Sequence, residues 1–222
     1  MGVAMGTAWL RVLLIFGGWA AAAAVLAQQA ININAELLAA ARRGDTELVR
    51  SLLDKGAVIN SRNRLGDTVL LIAAKNGERP LAMLAMERGA DVNQRNLAGI
   101  SPLMAAAFNG DVEITRALLE RGADVTPADR VRKTAAVYAA GNGHTEVLRM
   151  LLDRGVPVNQ RYDNDLTALM WAAAYGHDAT VKLLLSRGAD PLARDNRGKT
   201  AADMALEGGH RATAELLKGN TS

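Results

Sequence analysis

The 222-residue chain sets 26 Lys and Arg against 23 Asp and Glu, a net charge of +3 with both signs interspersed. No basic tract stands out, which excludes the electrostatic footprint of a nucleic-acid binder. Cysteine is absent, which excludes disulfides, a thiolate metal site, a Cys nucleophile and acylation as a lipoprotein.

The first 27 residues differ from the rest. Arg11 is their only charged side chain; an apolar core follows at Val12–Phe16, then Gly17, Gly18, Trp19, a run of Ala20–Ala24 and Val25-Leu26-Ala27. A positive residue, an apolar stretch and a small final residue make an export signal. Val25 and Ala27 suit the −3 and −1 positions, so cleavage is expected after Ala27. The apolar stretch, about 16 residues, is shorter than the ~20 a spanning helix needs. An uncleaved N-terminal anchor is the alternative, and it exports the remainder equally. No twin-Arg pair precedes the apolar run, which favours the general secretory route. The expected location is the periplasm of a Gram-negative cell. The alternatives are an inner-membrane anchor facing the periplasm and secretion.

Beyond residue 27 the chain is periodic. A turn-closing glycine recurs at Gly56, Gly89, Gly122, Gly155 and Gly188, each interval being 33 residues. Such a period means one supersecondary unit stacked on copies of itself. About six units fit: 28–62, 63–95, 96–128, 129–161, 162–194 and 195–222. In the third, Ser101 is an N-cap residue and Pro102 takes the first helical position, where its missing N–H costs nothing. A short Ala-rich helix ends at Gly110, a residue suited to a left-handed cap. Asp111 opens a second helix whose Ile114, Leu118 and Leu119 share one face. Gly122 ends it, and a polar turn leads to Asp129. Ala106 and Ala107 recur as Ala73/Ala74, Ala139/Ala140 and Ala172/Ala173, small enough for helices of adjacent units to approach closely.

The units resemble the ankyrin repeat. The resemblance rests on Gly66, Thr68, Leu70, Ala73, Ala74 and Gly77; on Gly99, Ser101, Pro102, Leu103, Ala106, Ala107 and Gly110; and on Thr134, Ala139, Ala140, Gly143 and His144. Thr167, Leu169, Ala172, Ala173, Gly176 and His177 follow, then Gly198, Thr200, Gly209 and His210. It covers residues 34–219, with a degenerate first unit suited to an N-terminal cap. It implies an all-α solenoid of stacked helix-turn-helix units with projecting β-turn or hairpin loops. Two departures stand out. The family's histidine in the first helix is replaced by Leu71, Met104, Val137, Met170 and Asp203. The fourth unit has Arg132, Ala135 and Ala136 where the motif has Gly, Pro and Leu.

The repeat also filters the candidates for chemistry. His144, His177 and His210 share one repeat position. Zinc needs ring nitrogens about 2 Å from one ion, whereas packed helices put equivalent positions about 8–10 Å apart. They are read as residues capping the second helices. Gly198-Lys199-Thr200 mimics a phosphate loop, but the required earlier glycine is Ala193. No nucleophile–base pair stands out, so no catalytic residue, metal or cofactor is expected. Arg62, Arg95, Arg161 and Arg194 share a turn position, with Ala128 between them and Arg130 nearby. They form either a solvated row or a rail for an acidic partner. After residue 27 the aromatic residues are Phe108, Tyr138, Tyr162, Trp171 and Tyr175, all on first helices or turns of units three to five. The resemblance places those elements on the concave face, where aromatic side chains concentrate binding energy. Tyr138 and Trp171 share a position that is often partly packed.

The expected function is a monomeric, non-catalytic module binding one or more proteins through Phe108, Tyr138, Tyr162, Trp171, Tyr175, Arg95, Arg130, Arg161 and Arg194. The alternatives are an accessory factor protecting an exported enzyme or its cofactor, and a secreted effector. The degenerate fourth unit is expected to show the fastest backbone amide exchange of the internal units. Hydrogen–deuterium exchange that finds it best protected would refute this.

Overall fold

The computed structural model describes residues 28–29 and 32–219; residues 1–27, the expected export signal, lie outside the described residues. The described chain is a succession of helix pairs. Helix α1 covers residues 32–42. It is followed by α2 (Thr46–Asp54), α3 (Val69–Asn76), α4 (Arg79–Glu87), α5 (Pro102–Asn109), α6 (Val112–Glu120), α7 (Ala135–Gly141) and α8 (Thr145–Asp153). Then come α9 (Ala168–Ala174), α10 (Asp178–Ser186), α11 (Ala201–Glu207) and α12 (Arg211–Lys218), with a 3-10 turn at Asp163–Asp165 before α9.

Each first helix from α3 onward begins at a hydroxyl. Thr68, Ser101, Thr134, Thr167 and Thr200 accept from the amides of Leu71, Met104, Val137, Met170 and Asp203 at 3.2–3.4 Å. These caps satisfy one of the orphan N–H groups that every helix start leaves. The third residue of each helix is where the ankyrin pattern carries histidine. Here Leu71, Met104, Val137 and Met170 are buried, so apolar packing replaces a polar tie. In the last unit Asp203 returns a bond to the Thr200 amide at 2.9 Å and closes a capping box.

The stack is held by its small residues. Ala73, Ala74, Ala106, Ala107, Ala139, Ala140, Ala172 and Ala173 are fully buried. The first helices α3, α5, α7, α9 and α11 lie much closer to one another than the second helices do. Interaxial distance follows the size of the side chains at the contact, so the Ala-rich layer is the short side of the solenoid. It curves inward and forms the concave face. Leu81, Leu84, Ile114, Leu118, Leu148, Leu151 and Leu184 fill the space between the two layers.

The histidines do not cap the second helices with their side chains, contrary to the sequence reading. Asp45 and Asp111 do, accepting from Leu48 and Ile114 at 3.0 Å. His144, His177 and His210 take that backbone position without a side-chain cap bond. Two of the rings reach back one unit instead: Nε2 of His144 donates to the Phe108 carbonyl and Nε2 of His177 to the Gly141 carbonyl, both at 2.9 Å. A carbonyl can only accept, so the proton sits on Nε2. The imidazole can lie so close because the residue beneath it is glycine. A Cβ on Gly143 would stand 2.6 Å from Nδ1 of His177. Nearer the N-terminus a charge pair plays this part, Arg79 to Asp111 at 2.9 Å.

Gly143 and Gly188 both adopt left-handed backbone, φ 73° and 82°, but nothing lies within 4 Å of a Cβ on Gly188. Backbone strain alone costs about 1–2 kcal/mol, so Gly188→Ala is expected to destabilise by that much. Gly143→Ala must also displace His177, and is expected to cost about 1 kcal/mol or more beyond this. Urea midpoints of the two variants check the difference.

Candidate protein-interaction surface

Four of the five aromatic residues fall on one strip of the concave layer. Phe108 and Tyr138 pack edge to face with ring centroids 5.6 Å apart and planes at 81°. Trp171 and Tyr175, one turn apart, stack with centroids 6.3 Å apart and planes at 11°. Tyr175 continues onto the His177 ring, also 6.3 Å away. Between the two pairs stands Lys133, its Nζ 5.7 Å from the Tyr138 centroid and 4.8 Å from that of Trp171. Both distances are within cation–π range. The strip therefore runs Phe108, Tyr138, Lys133, Trp171, Tyr175 and His177, across units three to five.

Its ends are open and its middle is seated. Phe108 is 52% exposed and Tyr175 55%, whereas Tyr138 and Trp171 are half-buried against the core. The seating depends on Asp129, a buried carboxylate at the start of the fourth unit. One of its oxygens accepts from the amides of Val131 and Lys133 at 3.0 and 2.9 Å. The other accepts from the Tyr138 hydroxyl. One carboxylate thus fixes both the turn that carries Lys133 and the ring on which Lys133 rests.

Tyr162 makes no ring pair among the described residues. It sits half-buried in the turn before α9 and lines a cleft of about 210 Å³ with Trp171, Lys133 and Val137. The arginines are exposed and divided in use. Arg161 donates to the Arg194 carbonyl at 3.0 Å, and Arg194 to the Gly198 carbonyl at 2.7 Å, so both also serve the turns. Arg95 and Arg130 make no ion pair among the described residues. Lys133 and His177 belong to the strip, but the sequence reading did not mark Lys133 and took His177 only for a helix cap. Lys133 occupies the repeat position of Asp67, Ile100, Leu166 and Lys199, too varied to mark it. His177 looked like one member of a regular row.

The remaining sequence motifs are absorbed by the scaffold. Thr200 caps α11 and Lys199 pairs with Glu207, so Gly198-Lys199-Thr200 is repeat structure. Among the described residues no group of three His, Asp or Glu is arranged to hold a metal ion. No described helix is long and apolar enough to cross a membrane.

The family model of ankyrin repeats (3 copies) matches residues 37–129 and 137–221. The chain belongs to the ankyrin-repeat family, whose repeats are generally protein–protein interaction modules. Among curated proteins none matches it.

Burial pushes the Tyr138 phenol above the ordinary tyrosine range, and the hydrogen bond to Asp129 and its charge push it further. Burial also raises Tyr162, partly offset by a hydrogen bond with Thr134. A phenol that holds its proton longer when folded contributes its full stability below the unfolded value, about 10, and loses it as pH rises beyond that. Stability is therefore expected to fall from about pH 10 upward. Tyr138→Phe should flatten that fall, read as urea midpoints across the alkaline range.

Proposed function

We propose that this chain is an exported, non-catalytic binding module that holds a partner protein on its concave face, with the aromatic strip as the contact. The observation that carries this reading is the exposure of Phe108 and Tyr175. Each is a large ring about half open to solvent, at either end of a row otherwise seated in the core. Rings so held lose little freedom on binding, and the cation between them suits a partner presenting a carboxylate or a further ring. An extended stack of repeats offers such a surface in place of a deep pocket. Residues 1–27 supply the argument for export, and the periplasm is the proposed location. Arg95 and Arg130 flank the strip's approach on the projecting turns and would act mainly on association rate.

Affinity capture from a periplasmic fraction, using the chain as bait, identifies the partner. Phe108→Ala and Tyr175→Ala are each expected to weaken it about tenfold, the loss typical of an interface anchor. Both rings are half-exposed, so the helical circular dichroism signal should persist. Affinity unchanged in both variants would remove the concave-face reading.

A further inference from the structure

Three kinds of hydrogen bond tie the projecting loops of successive units, and all three fail at one place. The first is an asparagine rung. Asn60, Asn93 and Asn159 accept, through Oδ1, from the amides of Asp91, Asp124 and Asp190 in the next loop at 2.8–2.9 Å. Asn93 and Asn159 also donate to the carbonyls of Gly122 and Gly188. Between the loop at 121–134 and the loop at 154–167 the asparagine is Thr126 and the amide belongs to Pro157, which has none. Thr126 turns its hydroxyl to Asp124 in its own loop. The second is a backbone rung: Leu97 to Leu65, Arg130 to Ala98 and Asn196 to Asn164, at 2.9–3.0 Å. Among the described residues no such bond joins the Asp163 amide to the Val131 carbonyl. The third is an arginine rung, Arg62 to the Arg95 carbonyl and Arg161 to the Arg194 carbonyl; among the described residues Arg95 makes no such bond to Ala128. Ala128 stands where the arginine reaching Arg161 would be.

The two loops part there. A cleft of about 550 Å³ opens between them, lined by Val125, Thr126, Arg132, Pro157, Arg161 and Tyr162 among others. Its volume is that of a small-ligand site. Arg132, Tyr162 and Asp163 also border the smaller cleft beside Trp171, so the two clefts share a wall. Only three residues other than glycine have positive φ among the described residues, and all lie at this gap: Arg132 at 59°, Asn164 at 58° and Asp165 at 60°. Two of them, Arg132 and Asp165, replace the glycine found at Gly66, Gly99 and Gly198. Tyr162 replaces the turn-forming Asn or Asp of the other loops, which explains the 3-10 turn at Asp163–Asp165. Among the described residues one ion pair crosses the gap, Arg132 to Asp163 at 3.3 Å, well exposed and of the kind that holds weakly, beside the hydrogen bond between Tyr162 and Thr134.

We propose that this cleft is a second binding site, distinct from the concave strip, for an extended acidic segment of a partner protein. Its walls leave unpaired what a peptide main chain supplies. Among the described residues the Asp163 amide has no acceptor, the Val131 carbonyl lacks the donor that Leu65 and Ala98 have, and the Gly155 carbonyl lacks the one that Gly122 and Gly188 have. Val125, Val156 and Pro157 give the apolar surface for one side chain. The lining carries Arg132 and Arg161 against the one carboxylate of Asp163, and Asp165, outside the lining, stands 3.8 Å from Arg161 in an exposed pair, so the cleft itself keeps an excess of positive charge that a carboxylate fits. An incoming Glu or Asp replaces Asp163 at Arg132 or Asp165 at Arg161, both exposed pairs of the kind that holds weakly. The occupant completes the interrupted ladder, much as a strand added to an open edge completes a sheet.

The test titrates the isotope-labelled full chain with acetyl-Val-Glu-Val-Glu-amide and, separately, with acetyl-Val-Gln-Val-Gln-amide, following backbone amide shifts. The acidic peptide is expected to move the amides of Asp163, Arg161 and Arg132, with the neutral one weaker by about fivefold or more. The double variant Thr126→Asn with Pro157→Asp rebuilds the missing rung, and should close the cleft and reduce binding at least about tenfold. Arg161→Gln, which needs no rebuilding, should weaken the acidic peptide and leave the neutral one unchanged. Tyr175→Ala should leave peptide binding intact, which separates this site from the concave one. Shifts centred on α7 and α9, or peptide binding indifferent to both the rebuilt rung and Arg161→Gln, would overturn the proposal.

Discussion

Everything in this molecule depends on how closely one unit can approach the next. A pair of helices of seven to nine residues is too short to persist alone in water and cannot bury its apolar face by itself. The interface between neighbours supplies the core, and alanine sets its dimensions. Two fully buried alanines in each of the first five units let the first helices nearly touch, and the larger leucines behind them hold the second helices apart. Curvature, and hence a concave face, follows from that difference in side-chain size. So does the placing of the aromatic rings, which lie on the inner helices beside the alanines.

The same closeness explains the ties between units. An imidazole can donate across to a carbonyl of the preceding unit because the residue it passes has no Cβ. The glycine that ends the inter-helix turn thus meets two demands, a left-handed backbone and room for a neighbour's ring. In the N-terminal half the acidic residues Asp45, Glu78 and Asp111 occupy the position that histidine holds in the C-terminal half. The first half therefore uses capping and ion pairing where the second half uses rings.

The period, the N-caps and the glycine turns could be read directly from the chain because they are local and recur. Ser101, Pro102 and Gly110 behave as their chemistry dictates. The placement of Phe108, Tyr138, Trp171 and Tyr175 on the first helices and their ends also followed once the units were superposed, and the resemblance put those helices on the concave face. What could not be read depends on direction across the stack. Spacing marks a histidine at a helix start but not whether its ring turns along its own helix or toward the unit before. Lys133 gave no signal because its partners, Tyr138 and Trp171, lie on two different units. Asp165 holds the glycine position of the fifth unit as Arg132 does in the fourth, but the period does not show that the backbone there stays left-handed without glycine.

A repeat protein can lose ties at one junction without losing the fold, because its stability is close to a sum of unit and neighbour terms. The joint between units four and five shows how the loss is confined. Its loops give up their asparagine, backbone and arginine rungs, yet Ala139, Ala140, Ala172 and Ala173 stay fully buried where α7 meets α9. His177 still reaches the Gly141 carbonyl across the same joint. The helical layers carry the neighbour energy, and the loops are free to part. Asp129 stands where these demands meet: it anchors the turn at the edge of the gap and the Tyr138 ring at the centre of the strip. Departures from the repeat gather around this one carboxylate because helices hold the joint on one side of it and loops are released on the other.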